Sequence, residues 1–248
     1  PAGEVDRSLS VRLIKGSHIH CNAALTPLVC FVCALCSLAG SIEMFFAGKV
    51  PNHLEVDKLS DKRLSHEPDS EGARQLAWKH LRNQPNTKIV LSSKTYLRDY
   101  TESKICLAAL GQGWGIRLIW SLAAGCIPLL PTSEVQYTFG GALNYSKFAF
   151  PNVPSRSFAQ AGYLKGLVGG GGGEKRLSDL QESLYKHLPL FLYPPHGIAH
   201  RMVLRELCVR APRMQHVGRE GSGRRAECDR LIGSTSAFPA LFSSTAGL

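Results

Sequence analysis

Two glycine turns, each followed by a basic residue, are the parts of the sequence best suited to bind an anion. Gly48 and Lys49 follow the largely apolar residues 42–47. Further along, glycines alternate with other residues through 111–115, and Arg117 comes two residues later. Backbone N–H groups, a helix N-terminus and a fixed cation all favour a diphosphate. The sequence therefore predicts a diphosphate as the ligand of both turns.

The glycine loop matches neither of the two common phosphate-binding motifs. It is not a Walker A sequence, and Ile116 occupies the position at which a GxGxxG fingerprint needs its third glycine. From residue types alone, two roles for Arg117 stay open. It is either a phosphate ligand or a structural partner in an ion pair.

Short apolar runs alternate with segments of helical spacing along most of the chain. This alternation favours an α/β fold, a Rossmann-like parallel sheet with helices on both faces and an added C-terminal helical segment. Ligands of such sheets lie at the carboxyl ends of the strands, where both glycine turns fall. The predicted strands are residues 42–47, 88–92, 104–108 and 127–130 with an edge segment at 143–151; the predicted helices are 71–83, 96–102, 117–124, 175–187 and 199–209; and 50–70 and 169–173 are predicted loops.

Composition divides the 248 residues into three parts. Residues 1–41 form an irregular and partly apolar segment, residues 42–210 hold the α/β pattern, and residues 211–248 form a basic tail of low order. The net charge is +10, and much of the excess comes from arginines near the C-terminus. No aromatic side chain lies between Arg201 and Arg230 to stack on bases, so we expect a solvated tail and no nucleic-acid partner.

Two interpretations are open for residues 28–42, which contain no charged side chain. Basic residues precede the run, as they do in membrane anchors and signal segments. The run is shorter than the roughly 20 residues that span a bilayer. A buried apolar segment is therefore the alternative to membrane insertion.

The eight cysteines show no recognisable disulfide framework. Cys30, Cys33 and Cys36 have CxxC spacing, but no second pair or HxxxH motif lies at a distance that suits zinc. Their apolar neighbours favour buried free thiols, and we expect no metal site. Cys106 and Cys126 fall inside predicted core elements, and the cysteine count indicates no particular redox compartment.

The segment around the glycine loop also resembles one protein family. Residues 103–107 (SKICL) and 125–129 (GCIPL) flank a glycine loop and an arginine in the order found in exostosin-type glycosyltransferases. Residues 45–48 are similar to the family's Phe-Phe-x-Gly turn, and Arg74 falls where the family commonly has an arginine. The resemblance spans roughly residues 42–210.

The resemblance implies the C-terminal half of a glycosyltransferase with two Rossmann-like domains (GT-B type), the half that binds the nucleotide of the donor. Members of the family are inverting enzymes of polysaccharide biosynthesis, usually single-pass proteins of the Golgi membrane. For this chain the resemblance implies a nucleotide-sugar co-substrate, expected to be a UDP-sugar, a glycan acceptor and no bound cofactor. It also implies a homo- or hetero-oligomer with a related transferase, and a membrane contact through residues 28–42 is compatible with it.

Site residues follow from the same resemblance. Arg117 would contact the diphosphate of the donor. Lys49 and Arg74 would line the same cleft, and loop amides near Gly113 and Gly115 would assist.

The chain departs from the family pattern three residues after Arg117. The family has an acidic side chain there, expected to hold the ribose of the nucleotide, whereas this chain has Trp120, which offers no hydrogen-bond acceptor. The alternative function is therefore a catalytically inactive remnant or partner subunit of such an enzyme.

No catalytic residue is predicted. Asp99 and Glu102 are expected to form a solvated helix face rather than a catalytic pair. The candidate bases by chemistry are four histidines, His18, His20, His53 and His66. Each is more typical of a histidine in a solvated loop than of a general base.

Overall fold

The computed structural model describes residues 10–12, 18–20, 41–66, 70–110, 115–131, 136–169, 172–214 and 228. Most of this part forms a five-stranded parallel sheet with helices around it, so the predicted α/β, Rossmann-like class is confirmed. A separate antiparallel pair consists of β1 (Ser10–Arg12) and β2 (His18–His20). The strands of the main sheet are β3 (Ile42–Ala47), β4 (Thr87–Val90), β5 (Ser103–Leu107), β6 (Ile127–Pro131) and β7 (Phe150–Val153).

Helices connect these strands, with short 3-10 turns between some of them. The predicted helices and strands from residue 71 onward are present near their expected bounds, with one exception. The predicted edge segment 143–151 contains a 3-10 turn (Tyr145–Lys147), and its strand, β7, begins only at Phe150. The helices are α1 (Asp61–Leu64), α2 (Ala73–Leu81), α3 (Tyr96–Thr101), α4 (Ile116–Ala123), α5 (Tyr163–Gly169), α6 (Gly173–His187) and α7 (Ala199–Met214).

Both faces of the sheet are buried, as the continuous apolar runs of its strands require. All five residues of β6 are buried. In β3 the side chains alternate, so that Phe46 joins Leu76 of α2 on one face, whereas Phe45 joins Tyr100 of α3 on the other. Helix α4 covers this second face further along, where Leu118 belongs to the apolar cluster of Ala108 and Leu130.

Helix α6 passes from one face to the other. Leu177 and Leu180 belong to the cluster of the first face, and Leu184 belongs to the cluster of the second. The Gln181 side chain donates to the carbonyl of Gly125 at 2.9 Å, just before β6 begins. Helix α6 therefore lies beside the amino end of β6, opposite the edge where ligands bind in parallel sheets.

The order of strands in the main sheet is β4-β3-β5-β6-β7. In this arrangement the first strand lies between the second and the third, the 2-1-3-4-5 order of doubly wound folds. Helix α2 follows β3 on one face and α3 follows β4 on the other, so the connections diverge at β3 and β5. The ligand crevice of such a sheet lies between the carboxyl ends of these two strands. In this chain those ends carry Gly48 with Lys49, and the loop that leads to Arg117.

The observed elements differ from the predicted ones at three further places in the chain. Residues 50–70 are predicted as a loop, but they contain a 3-10 turn and α1, which is capped by the Ser60 hydroxyl accepting from the Arg63 amide. Such a short helix is too brief to show as periodicity. Helix α5 is not predicted, and α7 continues to Met214, beyond the expected end at residue 209.

Cys106 and Cys126 are buried in the core as predicted, but the structure also contains two disulfides, although the cysteine spacing shows no recognisable framework. Disulfides join Cys106 to Cys126, with Cα atoms 5.8 Å apart, and Cys208 to Cys228. The first pair forms because the parallel pairing of β5 with β6 brings Cys106 close to the segment just before β6, which contains Cys126. This long-range register cannot be seen in the cysteine spacing alone. Cys30, Cys33 and Cys36 lie outside the described residues.

Most of residues 28–42, the possible anchor, also lies outside the described residues. Among the helices that the structure describes, none has the length and apolar character needed to cross a bilayer.

Candidate functional site

The first glycine turn lies at the carboxyl end of β3. The Gly48 amide donates to the carbonyl of Val90 at 3.1 Å, which extends the pairing of β3 with β4 by one residue. Lys49 is exposed, and the following Val50 is buried and anchors the turn in the core. The lysine side chain is therefore free to face solvent at the crevice edge.

Arg117 crosses from α4 to this turn. It is the second residue of the helix, and its guanidinium carbon lies 5.2 Å from the centre of the Phe46 ring, a cation–π arrangement. The same guanidinium lies against Gly48: a Cβ there would be 3.1 Å from the Arg117 Cζ and would overlap a terminal nitrogen. The absent side chain at Gly48 is thus what admits the arginine.

The Arg117 Nε is buried and has no hydrogen-bond partner among the described residues. A buried donor that stays unpaired costs about 1–3 kcal/mol, so such groups in native proteins usually have a role. Arg117 forms no salt bridge among the described residues, so the interpretation of Arg117 as half of an ion pair has no contact to support it there. An acceptor such as a phosphate oxygen would satisfy the free N–H.

Arg74 acts on the turn from beneath. The residue lies in α2 and is only 4% exposed. Its Nη1 donates to the Lys49 carbonyl at 3.0 Å and so fixes the backbone of the turn. The structure therefore places Arg74 beside the predicted cleft, with one clear contact that is structural.

Gly115 sets the direction of α4. It has a φ of 74°, the left-handed region in which glycine is favoured, and it immediately precedes the helix. The Leu118 amide donates to the Gly115 carbonyl at 2.9 Å, so the amides available to an anion are those of Ile116 and Arg117, which have no acceptor within the helix. Gly113 lies outside the described residues. The structure brings Lys49, Arg74 and Arg117 together around Gly48, and Gly115 begins the helix that carries Arg117.

A cluster of aromatic side chains near the end of β3 was not predicted from the sequence. Phe45 and Tyr96 each make edge-to-face contacts with Tyr100, at 4.9 and 5.0 Å between ring centres. Burial raises the pKa of the Tyr100 hydroxyl, so this group stays neutral at physiological pH. The Phe-Phe pair before Gly48 is the only sequence signal that pointed to this cluster.

Trp120 lies one turn beyond Arg117 on the same helix and is 39% exposed. Ile116, at the start of the helix, is also exposed. The inward side of α4 is formed by Leu118, Ser121 and Leu122. The exposed side of the helix is therefore apolar next to a cation.

The prediction for Asp99 is wrong, because its carboxylate is buried. It accepts hydrogen bonds from Lys88 at 2.7 Å, from Thr95 at 3.0 Å and from Ser93. Burial by itself would raise the pKa of Asp99, but these hydrogen bonds hold it below its ordinary value. The polar cluster closes the loop between β4 and α3, and its signal in sequence is a Ser-x-Thr segment four residues before the aspartate.

No catalytic base emerges from the candidate histidines that the structure describes in side-chain detail. His53 contacts the ring of Trp78 at 5.9 Å, and His66 shares a hydrogen bond with the Lys62 carbonyl at 2.6 Å. Within the described ranges, no group of three or more histidine, cysteine, aspartate or glutamate side chains is placed to hold a metal ion.

Comparison with known proteins finds a similarity to a plant enzyme. Over 80 residues, 32% of this chain, the sequence is 30% identical to the probable glucuronosyltransferase GUT1 of rice (Oryza sativa subsp. japonica). The matched part covers 19% of the length of that protein, so the chain corresponds to a small fraction of it. No protein-family model matches the chain. Over the matched residues the chain is thus similar to a glycosyltransferase.

Proposed function

We propose that the crevice between β3 and β5 binds the diphosphate of a nucleotide-sugar donor, expected to be a UDP-sugar, and that the chain belongs to an exostosin-like glycosyltransferase. The observation that carries the proposal is the buried Arg117 Nε beside the Gly48 turn, which has no hydrogen-bond partner in the part of the chain that the structure describes. The similarity to a glucuronosyltransferase is consistent with it.

The proposed chemistry is electrostatic. In an inverting transfer, an acceptor hydroxyl forms the new bond to the anomeric carbon as the bond from that carbon to the diphosphate oxygen breaks. Negative charge then grows on the leaving diphosphate, and the proton of the hydroxyl passes to a base outside the residues assigned here. Arg117, Lys49 and the first amides of α4 stabilise that charge, and Arg74 holds the turn in place.

The disulfides bear on where such an enzyme would work. Two of them are present, and disulfides form and persist in oxidising compartments. The secretory pathway, and within it the Golgi, is the proposed location. The glycan acceptor, the association with a related transferase and a membrane contact through residues 28–42 are further parts of this proposal.

A second candidate function is an inactive relative that keeps the fold and has lost productive donor binding. The observation in its favour is Trp120, which provides no acceptor for a ribose hydroxyl. The candidate predicts a folded chain that does not bind nucleotides.

Calorimetric titration of uridine diphosphate separates the two candidates. Arg117→Ala should abolish the binding seen in the parent chain, and Arg117→Lys should retain only part of it because the planar fork is lost. Lys175→Ala removes one exposed positive charge far along the chain, on α6, and should bind like the parent. Absence of binding in the parent, with binding gained in Trp120→Glu, would instead identify an inactive relative.

A further inference from the structure

An exposed tryptophan beside an anion site is unusual enough to need an explanation. Single exposed apolar residues are ordinary on protein surfaces, but Trp120 forms a patch with Ile116, four residues before it. Within the described residues, no ring or cation interaction involves the Trp120 indole. The patch lies on the same helix as Arg117, whose Nε has no hydrogen-bond partner within the described residues.

Helix geometry places the indole near the start of α4. Side chains in a helix lean toward its N-terminus, so Trp120 covers the turn that contains Ile116 and Arg117. The Cα atoms of Arg117 and Trp120 are about 4.5 Å apart along the helix axis. Residues three apart on a helix lie on neighbouring parts of its surface.

We propose that Trp120 is the binding surface for the nucleoside of the donor: its indole stacks on the base, while Arg117 and the first turn of α4 hold the diphosphate. The proposal rests on the proposed function, because it takes the diphosphate site as given. Because the indole has no hydrogen-bond acceptor, Trp120 cannot accept hydrogen bonds from the ribose hydroxyls. In this proposal it instead favours a nucleoside over inorganic pyrophosphate by stacking on the base.

Stacking explains the residue type as well as its position. Every nucleobase has a π-face, and stacking on an aromatic side chain contributes strongly to binding without reading the base edge. A chain that binds its donor in this way should distinguish nucleoside diphosphates from inorganic pyrophosphate, and should distinguish little between uracil and other bases.

Titration of two ligands into four proteins tests the assignment. The ligands are uridine diphosphate and inorganic pyrophosphate, and the proteins are the parent, Trp120→Ala, Trp120→Phe and Tyr193→Ala. Trp120→Ala should weaken uridine diphosphate binding about tenfold and leave pyrophosphate binding unchanged. Trp120→Phe should stay close to the parent, because it keeps an aromatic face.

Tyr193→Ala is the matched control, since Tyr193 is an aromatic residue that is 63% exposed and lies outside α4. It should bind both ligands like the parent. Equal affinity of the parent for both ligands, or unchanged uridine diphosphate binding in Trp120→Ala, would overturn the stacking role while leaving the diphosphate site intact. If the parent binds neither ligand, the proposed function fails together with this inference.

Discussion

At the scale of single residues, the site depends on a glycine that makes room for an arginine. The Arg117 guanidinium occupies the space that a side chain at Gly48 would fill, and it rests on the Phe46 ring. Lys49 is held next to it by the hydrogen bond from Arg74. Each of these contacts leads to a different expected effect of mutation.

Gly48→Ala should weaken diphosphate binding without unfolding the protein. The added methyl group overlaps the tip of a flexible side chain, so the guanidinium moves. The φ of 158° at this position adds some backbone strain, which should lower stability without unfolding the protein. We expect a loss of about tenfold in affinity for uridine diphosphate, comparable to one charge-assisted hydrogen bond of about 1.5–3 kcal/mol. Calorimetry gives the affinity, and far-ultraviolet circular dichroism checks the fold. A variant that binds like the parent would show that the position of Arg117 is not decisive.

Asp99→Asn should destabilise the protein, and the loss should depend on pH. Since the pKa of Asp99 is held below its ordinary value of 3.8, the ionised group stabilises the folded state at neutral pH. That contribution is present above the unfolded-state pKa and is lost as the pH falls through the lower folded-state pKa. Urea unfolding at pH 7 should show a loss of about 2 kcal/mol, from the weakened bonds to Lys88 and its neighbours.

The same measurement at low pH provides the check. As the pH falls below 3.8 and through the lower folded-state pKa, the difference between Asp99→Asn and the parent should shrink, because the carboxyl group becomes protonated. A difference that stays constant with pH would mean that Asp99 contributes through packing rather than through its charge.

At the scale of elements, the start of α4 decides which way its amides and Arg117 point. Gly115 adopts a left-handed conformation there, and a Cβ would meet no atom within 4 Å. The conformation of the backbone, rather than lack of space, is therefore what favours glycine.

Gly115→Ala should lower the free energy of unfolding by about 1 kcal/mol, and Gly115→Asn should recover part of the loss. Gly162 is the matched control, because it has the same φ of 74° and also has open space around it, at the start of α5. Both alanine variants should lose similar stability in denaturant unfolding, but only Gly115→Ala should also weaken binding of uridine diphosphate. Equal binding in the two variants would mean that the orientation of α4 does not matter to the ligand.

The sequence allows the elements to be predicted better than their long-range partners. Apolar runs and helical spacing identify β3, β5, β6 and α4, because each is determined by its own residues. The pairing of Cys106 with Cys126, the burial of Asp99 and the approach of Arg117 to Gly48 depend on residues brought together by the sheet. These contacts are set by strand order, which local spacing does not encode.

At the scale of the whole molecule, the strand order places the two glycine turns on either side of one crevice. The disulfide between Cys106 and Cys126 ties β5 to the segment before β6 within the second face of the sheet. It is therefore expected to stabilise the framework that carries the crevice.

Removing this disulfide should lower stability without abolishing the site. For its loop, with a sequence separation of 20, the expected loss in the double variant Cys106→Ala with Cys126→Ala is about 3 kcal/mol. Thermal unfolding with and without a reductant measures it, and the parent should fall toward the variant when reduced. The double variant Cys208→Ala with Cys228→Ala is the control for the second disulfide. A parent that is insensitive to reductant while the first variant is destabilised would assign the loss to packing.

The central claim is that the Arg117 Nε, which has no partner among the residues the structure describes, receives the diphosphate. Nuclear magnetic resonance tests it most directly. The Nε–H signal of Arg117 is identified by its absence in Arg117→Lys and followed during titration with uridine diphosphate. Our account predicts that this signal moves downfield and saturates, as an N–H does when it gains a phosphate acceptor, while the other arginine Nε–H signals stay in place. An Arg117 signal that does not move while the nucleotide binds would contradict the account.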